Sequence, residues 1–345
     1  MQSLKAPFPY FGGKSSIASV IWQALGDVPN YVEPFCGSLA VLLARPHAPT
    51  IETVNDKDGF VSNFWRALHA DPDAVAHHAD WPACENDLHA RHAWLVGQKH
   101  SMQQRLGGDP WWYDALIAGW WVWGQSLWIG QGFCSGHGPW QVQDGELICA
   151  GQGEGIHRSR LHLTHAGQGI RRKLLHLSDA GQGELDRPLH RYCQALAERL
   201  RLGQFRCASG EWSRVCGPSV TIHNGVTGVL LDPPYGHETG RDTGLYRQDK
   251  DVTAQVDAWC QEWGTHRRMR IVLCGYTGEY PTLVDRGWTV YHWKARGGYG
   301  AQSNGAGRAN AHRERLWFSP HCLPIAQWQQ QELFGDARAL GEDAL

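Results

Sequence analysis

The chain has 345 residues, of which 42% are hydrophobic and 19% charged, and its formal net charge is −2. This composition excludes a disordered or broadly basic protein, and no apolar run approaches the roughly 18 residues of a membrane span. The ten cysteines are scattered without a Cys-x-x-Cys pair, which argues against a disulfide framework and a structural zinc site. With no secretory signal pattern at the start, we expect a cytoplasmic protein with reduced thiols and no metal.

The first sixty residues alternate between predicted helices and strands. Apolar residues at helical spacing predict a helix over residues 15–25, and residues 39–43 predict a second helix. Short apolar runs at 31–32 and 51–54 predict strands. This rhythm predicts a parallel α/β sheet.

The middle of the chain, about residues 60–214, does not follow this alternation of helices and strands. Asp109 as N-cap and Pro110 as first helical residue predict a Trp-rich helix that runs to about Trp128 and packs on the sheet. An Ala-Gly-Gln-Gly unit then recurs at 150, 166 and 180, which predicts loops with short strands. Apolar residues at helical spacing predict one amphipathic helix over residues 189–200.

The segment 156–206 is locally basic, with ten Arg or Lys residues against four Asp or Glu residues. Arg171, Arg172 and Lys173 lie beside a Gly-rich turn and are candidates for phosphate contacts. Arg158 and Arg160 are candidates for guanine edges, although a solvated basic face explains them equally well. The segment therefore predicts a local DNA contact that the net charge of the chain does not show.

From about residue 204 the α/β rhythm resumes. We predict strands over 229–231 and 271–274, a helix over 256–263, and a closing antiparallel pair from 288–293 and 316–318. The chain past residue 326 is predicted to be a loosely ordered tail. Together these segments predict one α/β domain with a large insertion.

The tetrapeptide Asp232-Pro233-Pro234-Tyr235 directly follows the apolar strand at 229–231. Each proline fixes φ and removes a backbone N–H, so the turn presents acceptors and almost no donors. The Asp232 carboxylate and the Pro233 carbonyl can accept both N–H groups of an exocyclic amine and direct its lone pair towards an electrophile. Tyr235 offers an aromatic face to a base removed from the duplex. The turn predicts methylation of an amine on a base.

Two features near the start predict a cofactor site. Gly37 lies between a strand and a helix, where its backbone can approach a cofactor closely. Asp56 ends the next strand, at a spacing that suits an acid binding ribose hydroxyls. Lys14 follows Gly12-Gly13 and could bind a cofactor carboxylate.

These motifs, with Pro9-Tyr10-Phe11-Gly12-Gly13-Lys14, Val32-Glu33-Pro34-Phe35-Cys36-Gly37-Ser38 and Asn55-Asp56, resemble the motif series of the Dam-like adenine-N6 DNA methyltransferases. Their order resembles the alpha group of that family, and the insertion is most similar to versions carried by phages and prophages. The resemblance covers roughly residues 5–60 and 205–320. Leu39 stands where the family usually has a second small residue.

The resemblance implies a Rossmann-like methyltransferase sheet formed by residues 1–60 and 205–325, with an inserted target-recognition region at 61–204 and the tail at 326–345. It implies S-adenosylmethionine as cofactor, double-stranded DNA as partner, and a monomer in a bacterial or phage-infected cell. The implied catalytic residues are Asp232, Pro233, Pro234 and Tyr235. The implied cofactor residues are Tyr10, Gly12, Gly13, Lys14, Glu33, Phe35, Gly37, Asp56 and Asp232.

Two alternatives remain open at the level of sequence. One is a non-catalytic DNA-binding protein that retains the fold, which the presence of Lys14, Asp56 and Asp232 disfavours. The other is a methyltransferase acting on cytosine N4 or on an RNA base. Asp rather than Ser before Pro-Pro-Tyr resembles the adenine class and disfavours cytosine.

Overall fold

The computed structural model describes residues 4–8, 10, 13–109, 111–128, 133–134, 140–143, 146–149, 188–234, 252–293 and 313–325. Its helices are α1 (Ala18–Leu25), α2 (Ala40–Leu43), α3 (Gly59–Ala70), α4 (Pro72–Ala79), α5 (Glu85–Gly108), α6 (Ala115–Leu127), α7 (Pro188–Arg201), α8 (Val252–Trp263) and α9 (Pro281–Val284). Its strands are β1 (Asn30–Glu33), β2 (Ile51–Asp56), β3 (Trp140–Gln143), β4 (Glu146–Cys149), β5 (Gln204–Ser209), β6 (Thr227–Leu231), β7 (Met269–Tyr276), β8 (Thr289–His292) and β9 (Glu314–Phe318).

Seven of the strands form one sheet in the order β5-β2-β1-β6-β7-β9-β8. The five strands from β5 to β7 are parallel to one another. Strand β9 runs antiparallel to both of its neighbours. The predicted α/β sheet and its closing antiparallel pair are therefore confirmed, while β3 and β4 form a separate antiparallel pair.

The centre of the sheet is covered on both faces. Every residue of β1 and β6 is buried, as expected for parallel strands with helices on either side. Tyr31 belongs to the larger of two apolar clusters, and the adjacent Val32 belongs to the smaller one. Because β1 is flanked by β2 on one side and by β6 on the other, the strand order reverses there. The carboxyl ends of β1 and β6 thus form the crevice where open α/β sheets bind ligands.

The helices between β2 and β5 differ from the prediction. The sequence patterns did not identify α3, α4 and α5, and the predicted start of the Trp-rich helix at Asp109 is wrong. Asp109 is the C-cap of α5, and its carboxylate accepts from the N–H of Trp111 at 2.9 Å in a local turn. Asp114 caps α6 instead, accepting from the N–H of Ile117 at 2.8 Å. Asp109 and Asp114 lie five positions apart, and either could cap a helix. Because the Asp109 carboxylate is engaged in the local turn, Asp114 is the residue that caps α6.

A buried ionic cluster connects α7 to the sheet. Glu52 of β2 accepts from Arg199 of α7 at 2.8 and 2.9 Å and from Arg45 at 3.2 Å. Arg199 also donates to the carbonyl of Leu42, at 3.1 Å. Helices α3 to α7 contribute to the same apolar cluster as α1 and α2. The treatment of residues 61–204 as a separate insertion stays a prediction.

Within the described ranges, no helix combines the length and the apolar character that a membrane span requires.

Candidate active site

Lys14 and Asp232 form the centre of the crevice. Asp232 is the first residue after β6, and both of its carboxylate oxygens lie 2.9 Å from the Lys14 Nζ. Burial alone would lower the pKa of Lys14, but the charges of Asp232 and Glu314 are among those that raise it above its usual value. Lys14 is therefore a buried ammonium ion, held by the carboxylate that begins the Asp-Pro-Pro turn.

The loop between β1 and α2 is built around Gly37. Its φ is +45°, in the left-handed region that favours glycine. The ring of Tyr10 packs on it so closely that a Cβ at this position would lie 2.4 Å from Tyr10 Cδ1. Its carbonyl accepts from Trp65 Nε1 at 2.9 Å. The backbone of this loop is therefore fixed from two sides, and only glycine fits.

Asp56 at the end of β2 holds the same loop from the sheet. One of its oxygens accepts from the N–H of Gly37 at 3.0 Å, and the other accepts from the N–H of Asp58 at 2.8 Å. Burial, together with the nearby charge of Asp58, raises the pKa of Asp56 to about 7. The Asp56 carboxylate retains lone pairs for a further donor.

Glu33 at the end of β1 is buried. It is 4% exposed, and its Oε2 accepts from Tyr31 Oη at 3.0 Å. Burial raises the pKa of Glu33 to about 8, and the charge of Asp232 adds to the rise. The Tyr31 phenol therefore holds the Glu33 carboxyl group beside β1.

Phe35 connects this loop to the segment after β5. Its ring stacks on Trp212 with centroids 5.9 Å apart and planes at 27°. Asn55 joins the same two segments, because its amide donates to the carbonyls of Pro34 and Gly210, each at 3.0 Å. Trp212 lies just beyond the edge strand β5, which has no clear apolar pattern, so no local signal in the sequence marks it as a site residue.

The remaining predicted site residues are distributed as follows. Gly13 closes a turn by donating to the carbonyl of Tyr10 at 3.1 Å. Pro233 is buried and Pro234 is half-buried. The other predicted residues lie outside the described part of the chain: Gly12, Tyr235, Arg158, Arg160, Arg171, Arg172 and Lys173. Among the residues that the structure does describe, no group of three His, Cys, Asp or Glu side chains could hold a metal ion.

The chain is similar to one family of known proteins over part of its length. Residues 10–89 match the family model described as D12 class N6 adenine-specific DNA methyltransferase. Comparison with curated proteins yields no match. The matched stretch contains β1, the Gly37 loop and Asp56, and the sheet around it is a mostly parallel α/β sheet of the methyltransferase type. The match confirms the resemblance, and the phage origin stays a prediction. The match over residues 10–89 therefore supports an N6 adenine-specific DNA methyltransferase of the D12 class.

Proposed function

We propose that this enzyme transfers the methyl group of S-adenosylmethionine to the N6 amine of an adenine rotated out of double-stranded DNA. The observation that carries the proposal is the position of Asp232. It lies at the carboxyl end of β6, next to β1 and its glycine loop, and Lys14 fixes its carboxylate. An amine held at this turn lies beside the strand crevice in which a cofactor is expected.

The residues around Gly37 fit S-adenosylmethionine, which supplies a methyl group on a positively charged sulfur. The ring of Tyr10 occupies the space where a side chain at Gly37 would lie, so glycine lets Tyr10 pack on this loop as a wall of the proposed cofactor pocket. The Asp56 carboxylate can accept from ribose hydroxyls while it keeps its two backbone donors. We assign the cofactor carboxylate to Lys14 and the pocket wall to Tyr10 and Phe35.

The proposed chemistry depends on the hydrogen-bond acceptors of the Asp-Pro-Pro turn. The lone pair of an adenine amine is delocalised into the ring, so the amine is a poor nucleophile. The Asp232 carboxylate and the Pro233 carbonyl accept its two N–H groups and direct the lone pair at the methyl group. Asp232 can do so beside Lys14, because each carboxylate oxygen has more than one lone pair. The methylated amine then loses one proton to water, since a carboxylate beside an ammonium ion is a weak base.

Contacts with the duplex are assigned to the basic segment 156–206. Arg171, Arg172 and Lys173 would bind phosphates, while Tyr235 would stack on the rotated base. A protein that neutralises several phosphates binds DNA less tightly as salt is added. Variants that replace these three basic residues are therefore expected to weaken DNA binding and to flatten its dependence on salt.

The test is to incubate the purified protein with S-adenosylmethionine labelled in its methyl group and with duplex DNA of mixed sequence. The DNA is then digested to nucleosides. We expect the label in N6-methyl-2′-deoxyadenosine, and none with the D232N variant, whose side chain carries no charge and one acceptor fewer. Label in N4-methylcytosine would assign a different base, and the absence of label despite cofactor binding would contradict the proposed transfer.

A further inference from the structure

Asn55 belongs to the Asn55-Asp56 motif, and the proposed chemistry gives it no role. It lies in β2, one residue before the end of the strand, and it is 1% exposed. Its side-chain amide donates to the carbonyls of Pro34 and Gly210, each at 3.0 Å. A side-chain amide carries two N–H groups, so these two bonds engage both of them. The donors of Asn55 therefore serve the protein itself.

The two acceptors lie just beyond the strands on either side of β2. Pro34 is the first residue after β1, and Gly210 is the first residue after β5. Both strands are parallel to β2, so their chains leave the sheet at the same edge, where the crevice lies. Strands β1 and β5 do not pair with each other, because β2 lies between them. The Asn55 amide therefore connects two loops that the sheet itself does not connect.

Backbone hydrogen bonds run beside this connection. The N–H of Cys36 donates to the carbonyl of Asn55, and the N–H of Gly210 donates to the carbonyl of Asp56, each at 3.0 Å. The end of β2 thus holds one loop on each of its sides, and the carboxylate of Asp56 lies at that end. A shift of either loop would change the shape of the pocket around Asp56.

We propose that Asn55 is a positioning residue, which fixes the Gly37 loop and the segment after β5 relative to each other and so shapes the cofactor pocket on both sides of Asp56. This inference rests on the proposed function, since it takes Asp56 and the Gly37 loop to bind S-adenosylmethionine. Asn55 acts through the two loops and does not contact the cofactor. A binding site needs such supporting hydrogen bonds, because its contact residues must be held in one geometry.

Asn30 provides a matched control at the opposite end of the sheet. It is the first residue of β1 and is completely buried. Its amide also donates to two backbone carbonyls, those of Val220 at 2.8 Å and Thr221 at 3.4 Å, and to Thr227 Oγ1 at 2.9 Å. Alanine at either Asn removes a buried amide from two carbonyls, so both variants should lose stability. Only the change at Asn55 lies at the edge of the crevice.

The first test compares N55A with N30A for binding of S-adenosylhomocysteine, measured by calorimetry with the full chain. We expect N55A to bind about tenfold more weakly than the wild type, which corresponds to about 1.4 kcal/mol. N30A should bind within about twofold of the wild type. If N55A does not fold, N55S, which keeps one donor, is compared with N30S. Equal affinities in the two variants would overturn the positioning role.

Methyl transfer gives a second measure of the same role. Asp232 follows β6, which lies on the far side of β1 from Asn55. We therefore expect N55A to raise KM for S-adenosylmethionine about tenfold and to leave kcat within about threefold of the wild type. A fall in kcat with an unchanged KM would contradict an action through the cofactor loops.

A ligand-free measurement separates this inference from the proposed function. Hydrogen exchange at the Cys36 and Gly210 amides reports how firmly the two loops are held. We expect exchange at least tenfold faster in N55A than in N30A, which controls for a general loss of stability. If the wild type fails to bind S-adenosylhomocysteine, the proposed cofactor is wrong, and the exchange rates still decide whether Asn55 holds the loops. Equal exchange in N55A and N30A would overturn that role.

Discussion

Lys14 and Asp232 are separated by 218 positions in the sequence, and in the folded protein the ammonium nitrogen lies 2.9 Å from both carboxylate oxygens. The side chain of Lys14 is 3% exposed and that of Asp232 is 20% exposed. The ion pair connects the turn at residues 10–14 to the turn that follows β6. The effect of a substitution at Asp232 depends on the new side chain, because Lys14 remains in the protein as a buried cation.

Replacing Asp232 is expected to affect both activity and stability. In D232A the buried ammonium ion loses its partner, which should lower the free energy of unfolding by about 3 kcal/mol. D232N keeps an oxygen near Lys14 and should cost less. Both variants should lose at least about a hundredfold in methyl transfer, since a positioned acceptor group contributes on this order. Urea unfolding and transfer of labelled methyl groups measure the two effects, and near-normal turnover in D232N would contradict the assigned role.

Gly37→Ala should damage the cofactor loop. The new Cβ would lie 2.4 Å from the Tyr10 ring on a backbone with φ of +45°. We expect S-adenosylhomocysteine binding to weaken more than tenfold and the free energy of unfolding to fall by about 1–2 kcal/mol. Gly97→Ala is the matched control, because Gly97 lies within α5 with no atom within 4 Å of its added Cβ. That variant should be more stable than the wild type by up to about 1 kcal/mol, with unchanged binding.

Leu39 has left-handed backbone angles, with φ of 54° and ψ of 29°, and its side chain is fully buried. The backbone costs about 1–2 kcal/mol, while burial of a leucine contributes about 1.5–3 kcal/mol, so burial outweighs strain. Alanine would lose the burial and keep the strain, whereas glycine would lose both. Leu39→Gly should therefore be more stable than Leu39→Ala by about 1 kcal/mol.

Leu43 provides the control for this comparison. It is 3% exposed and lies in α2, so alanine there should be better than glycine by about 1 kcal/mol. Thermal unfolding of the four variants gives both orders. The same order at positions 39 and 43 would show that the backbone at Leu39 is not strained.

Asp56 should give cofactor binding a dependence on pH. Its pKa in the folded protein is about 7, against an ordinary value of 3.8. Hydroxyl donors favour the carboxylate, so S-adenosylhomocysteine should bind more tightly at pH 8 than at pH 6. Stability should change in the opposite direction: the contribution of Asp56 is fully present below pH 3.8 and is lost as the pH rises through 7.

D56N isolates these effects from those of Glu33, which also titrates near neutral pH and is present in both proteins. The pH dependence of binding should be smaller in D56N than in the wild type. Its free energy of unfolding should fall less between pH 4 and pH 7. An unchanged pH profile of binding in D56N would exclude Asp56 as a ligand of the ribose.

The sequence predicted the inner strands because they are short apolar runs that end at Gly, Pro, Asn or Asp. The sequence did not predict α3, α4 and α5. Only six of the 24 residues of α5 are buried, so the apolar spacing that marks a helix is weak there. The Trp-rich helix was predicted to pack on the sheet, but α6 packs mainly against α3 and α4. Trp121 of this helix is 2% exposed, whereas Trp111, before the helix begins, is 88% exposed.

The site was predicted residue by residue, and its internal contacts were not. Lys14 and Asp232 were both identified, but no local pattern pairs residues so far apart in the chain. Glu33 was expected to line the pocket because its motif lies next to Gly37. That role stays a prediction. The alternation of a strand places Glu33 on the same face of β1 as Tyr31, and the structure has a hydrogen bond between the two side chains.

The order of strands has a consequence for synthesis of the protein. Strand β1 pairs with β2 at residues 51–54, but its other neighbour, β6, begins only at Thr227. The ribosome therefore releases one edge of β1 long before the strand that covers it exists. During this interval the unpaired edge of β1 is a template for pairing with other chains. Strand β1 gains its second neighbour only after the whole stretch from residue 34 to residue 226 has been translated.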